Sequence, residues 1–474
     1  MRHSHYVFVG IAGESLSNRT TSRLGTGLFR SPVDRLGEWE DLSPQLAELP
    51  EVRAIASAAD DPDTVYVGTQ CGVHRSRDGG DTWELLGAPR PEFGVWSLAV
   101  PPAAPDVVLA GYEPNAVYAS TDRGRTWTAA VMPAGYPAGA SHEPKRVIGL
   151  ACDPADPRRV YAAVEAGGAL YSDDGGRSFT AAVLSADVDL LDLHAVGVAR
   201  AGVLAVGRDG IFRSADHGRT FAHALDDSLQ VDAVTRDELE DIVATLSRDR
   251  FDGNLCVRRV EVGDGIRFAL GARRSSRDDY GESFDARAIG ARRNGEGRAQ
   301  PAACWHAVAA VIEACYRRRD NLVVSTGLAR FDDVAGFRAC AGPALEHCDC
   351  NQPGGADREP QIRAALGWSM VEQYCRSIAV ASADLVYVGA GASWLSEHGT
   401  IYASRDGGAS FRPIELPRGV RSTVFGIAAA PADSRRIAAA TKQGQVLLSS
   451  DAGASWQIAN LPVEAHPVYA LTVT

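Results

Sequence analysis

Short runs of apolar residues alternating with polar ones recur along most of this chain, separated by Gly-rich or Asp/Pro-rich turns. Val73-His74-Arg75 alternates as a strand does, Asp78-Gly79-Gly80 makes a turn, and Thr82-Trp83-Glu84-Leu85 alternates again. That predicts a β-hairpin. An Asp in such a turn accepts hydrogen bonds from its own backbone N–H groups, and Gly supplies the positive φ that other residues resist. The same pattern, Ser-x-Asp-x-Gly-x-Thr/Ser-Trp/Phe, stands at Ser76–Trp83, Ser120–Trp127, Ser172–Phe179, Ser214–Phe221, Ser404–Phe411 and Ser449–Trp456.

Successive copies begin 44, 52, 42, 190 and 45 residues apart. A period in the forties with several short strands per unit predicts a propeller. Each unit opens with an apolar strand (Arg53-Ala-Ile-Ala, Trp96-Ser-Leu-Ala), passes an Asp/Pro-rich turn (Asp60-Asp-Pro-Asp), enters a second strand (Val65-Tyr-Val-Gly) and then reaches the hairpin. A degenerate unit precedes them, with His5–Gly10, Gly27–Ser31 and Glu38–Leu42 as strands and Asp34 five residues before Trp39. It lacks an opening strand, and the chain ends on an orphan of that type, Val468-Tyr-Ala-Leu-Thr-Val. Pairing the two closes the ring and removes exposed sheet edges.

The long interval exceeds the others by roughly 145 residues, about one small domain. Thr235-x-x-Glu238 is a capping box followed by Leu239, Ile242, Val243 and Leu246 at helical spacing. Leu255–Val260, Ile266–Leu270 and Leu322–Thr326 read as strands, Cys304–Arg318 as an amphipathic helix, and Gly271–Gln300 as a long polar loop. The expected fold is therefore all-β: a seven-bladed β-propeller whose C-terminal strand closes the first blade, plus a small α/β insert domain between blades five and six. Residues 1–226 would form blades one to five, 227–373 the insert, and 374–474 blades six and seven with the closing strand. The insert leaves from the face opposite the repeated turns, which places it over the channel mouth on the loop face.

The formal net charge of −12 argues against a nucleic-acid partner. Only two of the 48 basic residues are Lys (Lys145 and Lys442), a bias of genome composition more than of function. No 18-residue apolar run exists to span a membrane, and the N-terminal apolar stretch is too short for a signal peptide, so the expected location is cytoplasmic. Seven of nine Cys lie between Cys256 and Cys375. Cys340, His347, Cys348 and Cys350 are thiolate and imidazole candidates for zinc, but their spacing matches no zinc ribbon or finger, so the expectation is reduced thiols and neither metal nor cofactor.

The six turns resemble the Asp box, or BNR repeat, of sialidases, xyloglucanases, sortilin-type receptors and a photosystem II assembly factor. In those families the boxes are structural and usually far from the active site, so the resemblance implies a propeller whose chemistry lies elsewhere. Phe29-Arg30-Ser31-Pro32 is similar to the sialidase Phe-Arg-Ile-Pro motif, although Arg30 falls in a strand leading into the degenerate turn.

Candidate ligand-binding residues come from the openings of the strands expected to line the channel: Arg53, Trp96, Arg146, His194 and Arg376, with Arg421 just before Val424-Phe-Gly-Ile. Guanidinium groups present rigid donor forks that suit carboxylate or phosphate. Several gathered together need either protein carboxylates (Glu51, Glu92, Glu143, Asp189, Asp192) or an anionic ligand. Two functions follow. One is a monomeric binding scaffold for an anionic or carbohydrate-like ligand or a protein partner, as the resemblance to the assembly factor implies. The other is a glycoside hydrolase, for which Glu92, Glu143, Asp189 and Asp192 are the loop-face acids and two must stand roughly 5–10 Å apart.

Overall fold

The computed structural model describes residues 5–13, 26–46, 50–87, 89–134, 145–184, 192–208, 210–224, 374–391, 396, 399–462 and 467–474, and within the insert 228–231, 241, 255–262, 265–274, 283–285, 309–310, 312–314, 317, 324–325, 330–331 and 334–345. The chain divides into two compact units, Met1–Ala224 with Glu372–Thr474, and Leu225–Val371.

The first unit is a seven-bladed β-propeller, each blade an antiparallel sheet of four strands. In blade two, Ala54–Ser57 is innermost, followed outward by Val65–Thr69, Gly72–Ser76 and Glu84–Leu85. The other innermost strands are Val95–Ala99, Arg146–Cys152, Leu193–Ala199, Tyr374–Val380 and Val424–Ala430 for blades three to seven, and Val468–Val473 for blade one. That last strand pairs antiparallel with Tyr6–Ile11, Val7 opposite Val473 and Phe8 opposite Thr472, so the end of the chain closes the first blade. Tyr6 and Thr474 lock the seam: Tyr6 N–H donates to Thr474 Oγ1 at 3.1 Å and Thr474 N–H to Tyr6 O at 3.0 Å. Blade five carries an additional short strand, Val183–Leu184, parallel to its outer strand.

Every blade is flanked by two others, which is why a second strand such as Val65–Thr69 is buried along its whole length and reads as an apolar run instead of an alternation. The core is distributed between successive blades. Tyr66 and Val73 pack with Val95 and Val108 between blades two and three, and Tyr161 and Ala163 with Leu193 and Val203 between blades four and five.

The repeated turn is built from its own side chains. Ser76 Oγ accepts the Gly80 N–H at 2.7 Å and donates to Asp78 Oδ1 at 2.8 Å, while Asp78 accepts the Thr82 N–H at 2.9 Å and the Thr82 hydroxyl at 2.6 Å. The other five copies make the same four bonds. The Gly four residues after the Ser has a second duty besides its positive φ. A Cβ at Gly218 would stand 2.7 Å from Tyr161 of the preceding blade, one at Gly408 2.6 Å from Leu204, and one at Gly176 3.0 Å from Leu109. The glycine is thus a socket that receives a large side chain from the neighbouring blade.

The first blade shows what replaces this arrangement. Ser31 accepts the Gly37 N–H at 3.0 Å, two residues further along than in the other copies. Asp34 is exposed beside Arg35 and does not hold the turn, despite its matching offset from Trp39. Arg30 lies far from the channel lining and clamps blades one and two, through Glu40 (2.8 Å), the Gly79 carbonyl (2.5 Å) and Asp81 (2.6 Å).

In the second unit, Leu255–Val262 pairs with Gly265–Arg274, which also pairs with Ser228–Val231 and Ser283–Asp285. The expected loop from Gly271 is corrected in part: the hairpin runs on to Arg274, and Ser283–Asp285 adds a short strand to it. A helix, Val334–Leu345, follows a short strand pair, and Phe337 is buried on it. The capping box at Thr235 and the residues His347, Cys348 and Cys350 lie outside the described residues, as does the side chain of Cys340. Among the described residues no helix is long and apolar enough to cross a membrane.

Candidate functional site

Six innermost strands carry a register irregularity near their start, opposite the repeated turns. In blade three, Val95 pairs with Tyr112 and Ser97 with Gly111, which leaves Trp96 as the extra residue. An extra residue of this kind bends the strand and re-aims a side chain. The residues so placed are Trp96, Ile148, His194, Arg376, Phe425 and Tyr469, and Arg53 holds the corresponding position in blade two. All seven line one cavity of about 190 Å³ at the channel mouth. Beneath them stands a tier of small residues, among them Ala54, Ser97, Gly149 and Ser377, and below that an aliphatic tier that includes Ile55, Leu150 and Ile378.

This register sorts the sequence candidates. Arg53, Trp96, His194 and Arg376 line the cavity, and Arg146 and Arg421 do not. Arg146 falls two residues before the ring position held by Ile148, and Arg421 stands on an exposed loop before Val424, where Phe425 takes the place expected of it. Sequence reasoning aligned the strands on their first polar residue. The signal that aligns them correctly is the small residue followed by an aliphatic one (Ala54-Ile55, Ser97-Leu98, Gly149-Leu150, Gly426-Ile427, Ala470-Leu471), and it would have found Ile148, Phe425 and Tyr469.

Arg146 is buried in an ion-pair network, 2.8 Å from Glu113 and 2.8 Å from Glu165. Burial alone would lower its pKa, but the Glu113 and Glu165 hydrogen bonds and charges outweigh it and raise it. Its guanidinium also lies over the Trp96 ring, 4.5 Å from the centroid, and Arg53 lies over the same ring at 4.6 Å. Arg53 is paired with Glu51 at 2.6 Å. Two guanidiniums and three carboxylates therefore enclose Trp96, and this side of the mouth is neutralised by the protein itself.

The other side is built differently. Arg376 lies 5.1 Å from the Phe425 ring and 6.0 Å from the Tyr469 ring, and no carboxylate among the described residues stands within ion-pair distance of it. His194, 3% exposed, directs Nδ1 to the Cys375 carbonyl at 2.8 Å and Nε2 to Asp192 at 3.6 Å, with the Tyr374 ring 4.9 Å away. Burial alone would raise the Asp192 carboxyl. The His194 ring at 3.6 Å, the Ala166 N–H and the charge of Arg376 together hold it down to about 2. Burial pushes the Tyr374 phenol up to about 12, so it stays protonated.

Of the proposed acids, Glu92 is exposed and 3.6 Å from Arg90, and Asp192 is engaged by His194. Glu143 and Asp189 lie outside the described residues. Glu113 and Glu165, at the ends of second strands, were not foreseen as the partners of Arg146. They stand at the same end of the blade as the start of its innermost strand.

No protein-family model matches the chain, and no curated protein matches its sequence. Several solved structures are similar in fold. The chain is 14% identical to a GH74 enzyme from Niastella koreensis over 94% of its own length and 55% of that chain, with a TM-score of 0.34. It is 11% identical to YCF48 bound to D1 peptide, over 95% of this chain and 87% of that one, with a TM-score of 0.41. It is 16% identical to the GH74 xyloglucanase from Xanthomonas campestris, over 96% and 78%, with a TM-score of 0.29. This chain thus spans about half the length of the Niastella enzyme.

Proposed function

We propose that this protein is a binding scaffold whose channel mouth takes one carboxylate-bearing group, offered by a small ligand or by a protein partner. The observation that carries this reading is Arg376: a guanidinium at the wall of a cavity, held by aromatic faces and without a carboxylate partner among the described residues. A planar fork with its donors unclaimed among the described residues suits a bidentate carboxylate. Size limits the occupant. An apolar cavity of about 150 Å³ accepts benzene, and drug-sized ligands occupy about 300–1,000 Å³, so about 190 Å³ admits a single ring-sized group with its charge at Arg376.

The chemistry of the mouth favours holding over turnover. A hydrolase needs an acid and a second carboxylate available to substrate. Among the described residues, Glu51, Glu113 and Glu165 are each engaged by an arginine, Asp192 stands against His194, and both nitrogens of His194 are turned to protein groups, Cys375 O and Asp192. The test is calorimetric titration of the full chain with a panel of ring-sized monocarboxylates, beside a turnover screen of aryl glycosides and sialosides. Binding of at least one acid, weakened about tenfold or more by Arg376→Ala, with no turnover, is the expected result. Turnover of any glycoside, or acid binding indifferent to Arg376→Ala, overturns it.

A further inference from the structure

We infer that anion binding at Arg376 is switched by a single proton on His194, with Asp192 as the internal competitor for the arginine. This rests on the binding reading above and adds its regulation. A backbone carbonyl only accepts, so the 2.8 Å contact to Cys375 O fixes a proton on Nδ1. Nε2 faces Asp192 Oδ2 at 3.6 Å, and an ionised carboxylate is likewise acceptor-only, so this contact is favourable only when Nε2 is also protonated.

Among the described residues, the charged and titratable groups around His194 come from three blades. Asp192 precedes the innermost strand of blade five. Tyr374 and Arg376 flank Cys375 on blade six, and Glu165 of blade four is held by Arg146 at 2.8 Å. Glu165 is therefore neutralised, and the Tyr374 phenol stays protonated. Three charges remain to be balanced among Arg376, His194 and Asp192. With His194 protonated, Asp192 is matched by the imidazolium and Arg376 has a full positive charge for a ligand. With His194 neutral, Arg376 is the cation among the described residues whose charge also bears on the Asp192 carboxyl. The incoming carboxylate then competes with a resident one. Protonation and anion binding favour each other, and by linkage the anion raises the proton affinity of His194 to the same extent.

The switch predicts a direction at every step. Benzoate, ionised throughout this range, should bind the full chain about tenfold more weakly at pH 8 than at pH 5.5, the span in which imidazoles titrate. Asp192→Asn removes the competitor, so its affinity at pH 8 should match the wild-type value at pH 5.5 and no longer vary with pH. His194→Gln keeps a donor for Cys375 O without the charge and should bind weakly at both pH values. In wild-type protein, the NMR titration midpoint of the His194 ring should move up on adding benzoate, a readout that needs no variant to fold. Benzoate affinity that is constant with pH yet lost in Arg376→Ala overturns the switch and leaves the site standing. A pH dependence that survives Asp192→Asn also overturns it. Binding of no ring-sized monocarboxylate of the panel, benzoate included, or binding unaffected by Arg376→Ala, removes the site and the switch together.

Discussion

The two halves of the channel mouth are made from the same residue types and do opposite things. Around Trp96, Arg53 and Arg146 are matched by Glu51, Glu113 and Glu165 at 2.6–2.8 Å, and these side chains fasten blades two, three and four to each other. Around Tyr469, Arg376 rests on aromatic rings, and Asp192, whose carboxyl feels its charge, is directed at His194. The lesson is that an arginine at the start of an innermost strand has no fixed meaning. Its register and the presence of a glutamate within reach decide whether it is a clamp or a receptor.

The comparison breaks most visibly at Arg146. Arg146→Ala leaves the buried Glu113 and the half-buried Glu165 without their cation, so a loss of about 3 kcal/mol or more is expected in chemical unfolding. A loss below about 1 kcal/mol would mean that the pair is not structural.

At the opposite end of the blades, Gly218→Ala should cost about 2–4 kcal/mol, since it combines a positive φ with overpacking against Tyr161. Gly419 also has a positive φ but open space around it, so Gly419→Ala should cost only about 1 kcal/mol. Equal effects at the two positions would remove the socket from the account.

The smallest effect is one of pH. Burial would raise Asp216, but the Thr220 hydroxyl and N–H and the Ser214 hydroxyl outweigh it and hold the group at about 2. Asp122 and Asp451 are likewise held at about 2, by the backbone N–H and hydroxyl of Thr126 and of Ser455. A carboxylate depressed in the folded state stabilises it above the ordinary carboxylate value of about 4 and loses that contribution as the pH falls through its folded value. The unfolding midpoint should therefore be flat from about pH 7 to 4 and fall between about 4 and 2. Asp216→Asn should lower the plateau and shallow the fall. An unchanged acid limb would show that the turns are not the acid-sensitive element.

The fold was legible because a six-fold turn sets both the period and the strand order, and because an orphan C-terminal strand matched a missing one. Within the site, Arg53, Trp96, His194 and Arg376 were legible as polar residues opening apolar strands. Ile148, Phe425 and Tyr469 were not, because apolar residues in an apolar strand carry no such mark, and the bulge that turns them toward the channel is a property of pairing with the next strand. Arg146 was misplaced for the same reason. The first blade misled in another way: Asp34 keeps the spacing of the turn but Ser31, bonding to Gly37, does its work.

The central claim is that Arg376 is a receptor and not a clamp, and one variant measured twice tests it. Arg376→Ala should cost no more than about 1–2 kcal/mol of unfolding free energy, the worth of its two ring contacts with no ion pair among the described residues lost, while weakening the tightest-binding monocarboxylate about tenfold or more. A variant destabilised by several kcal/mol, or one that binds the acid as tightly as wild type, would contradict the account.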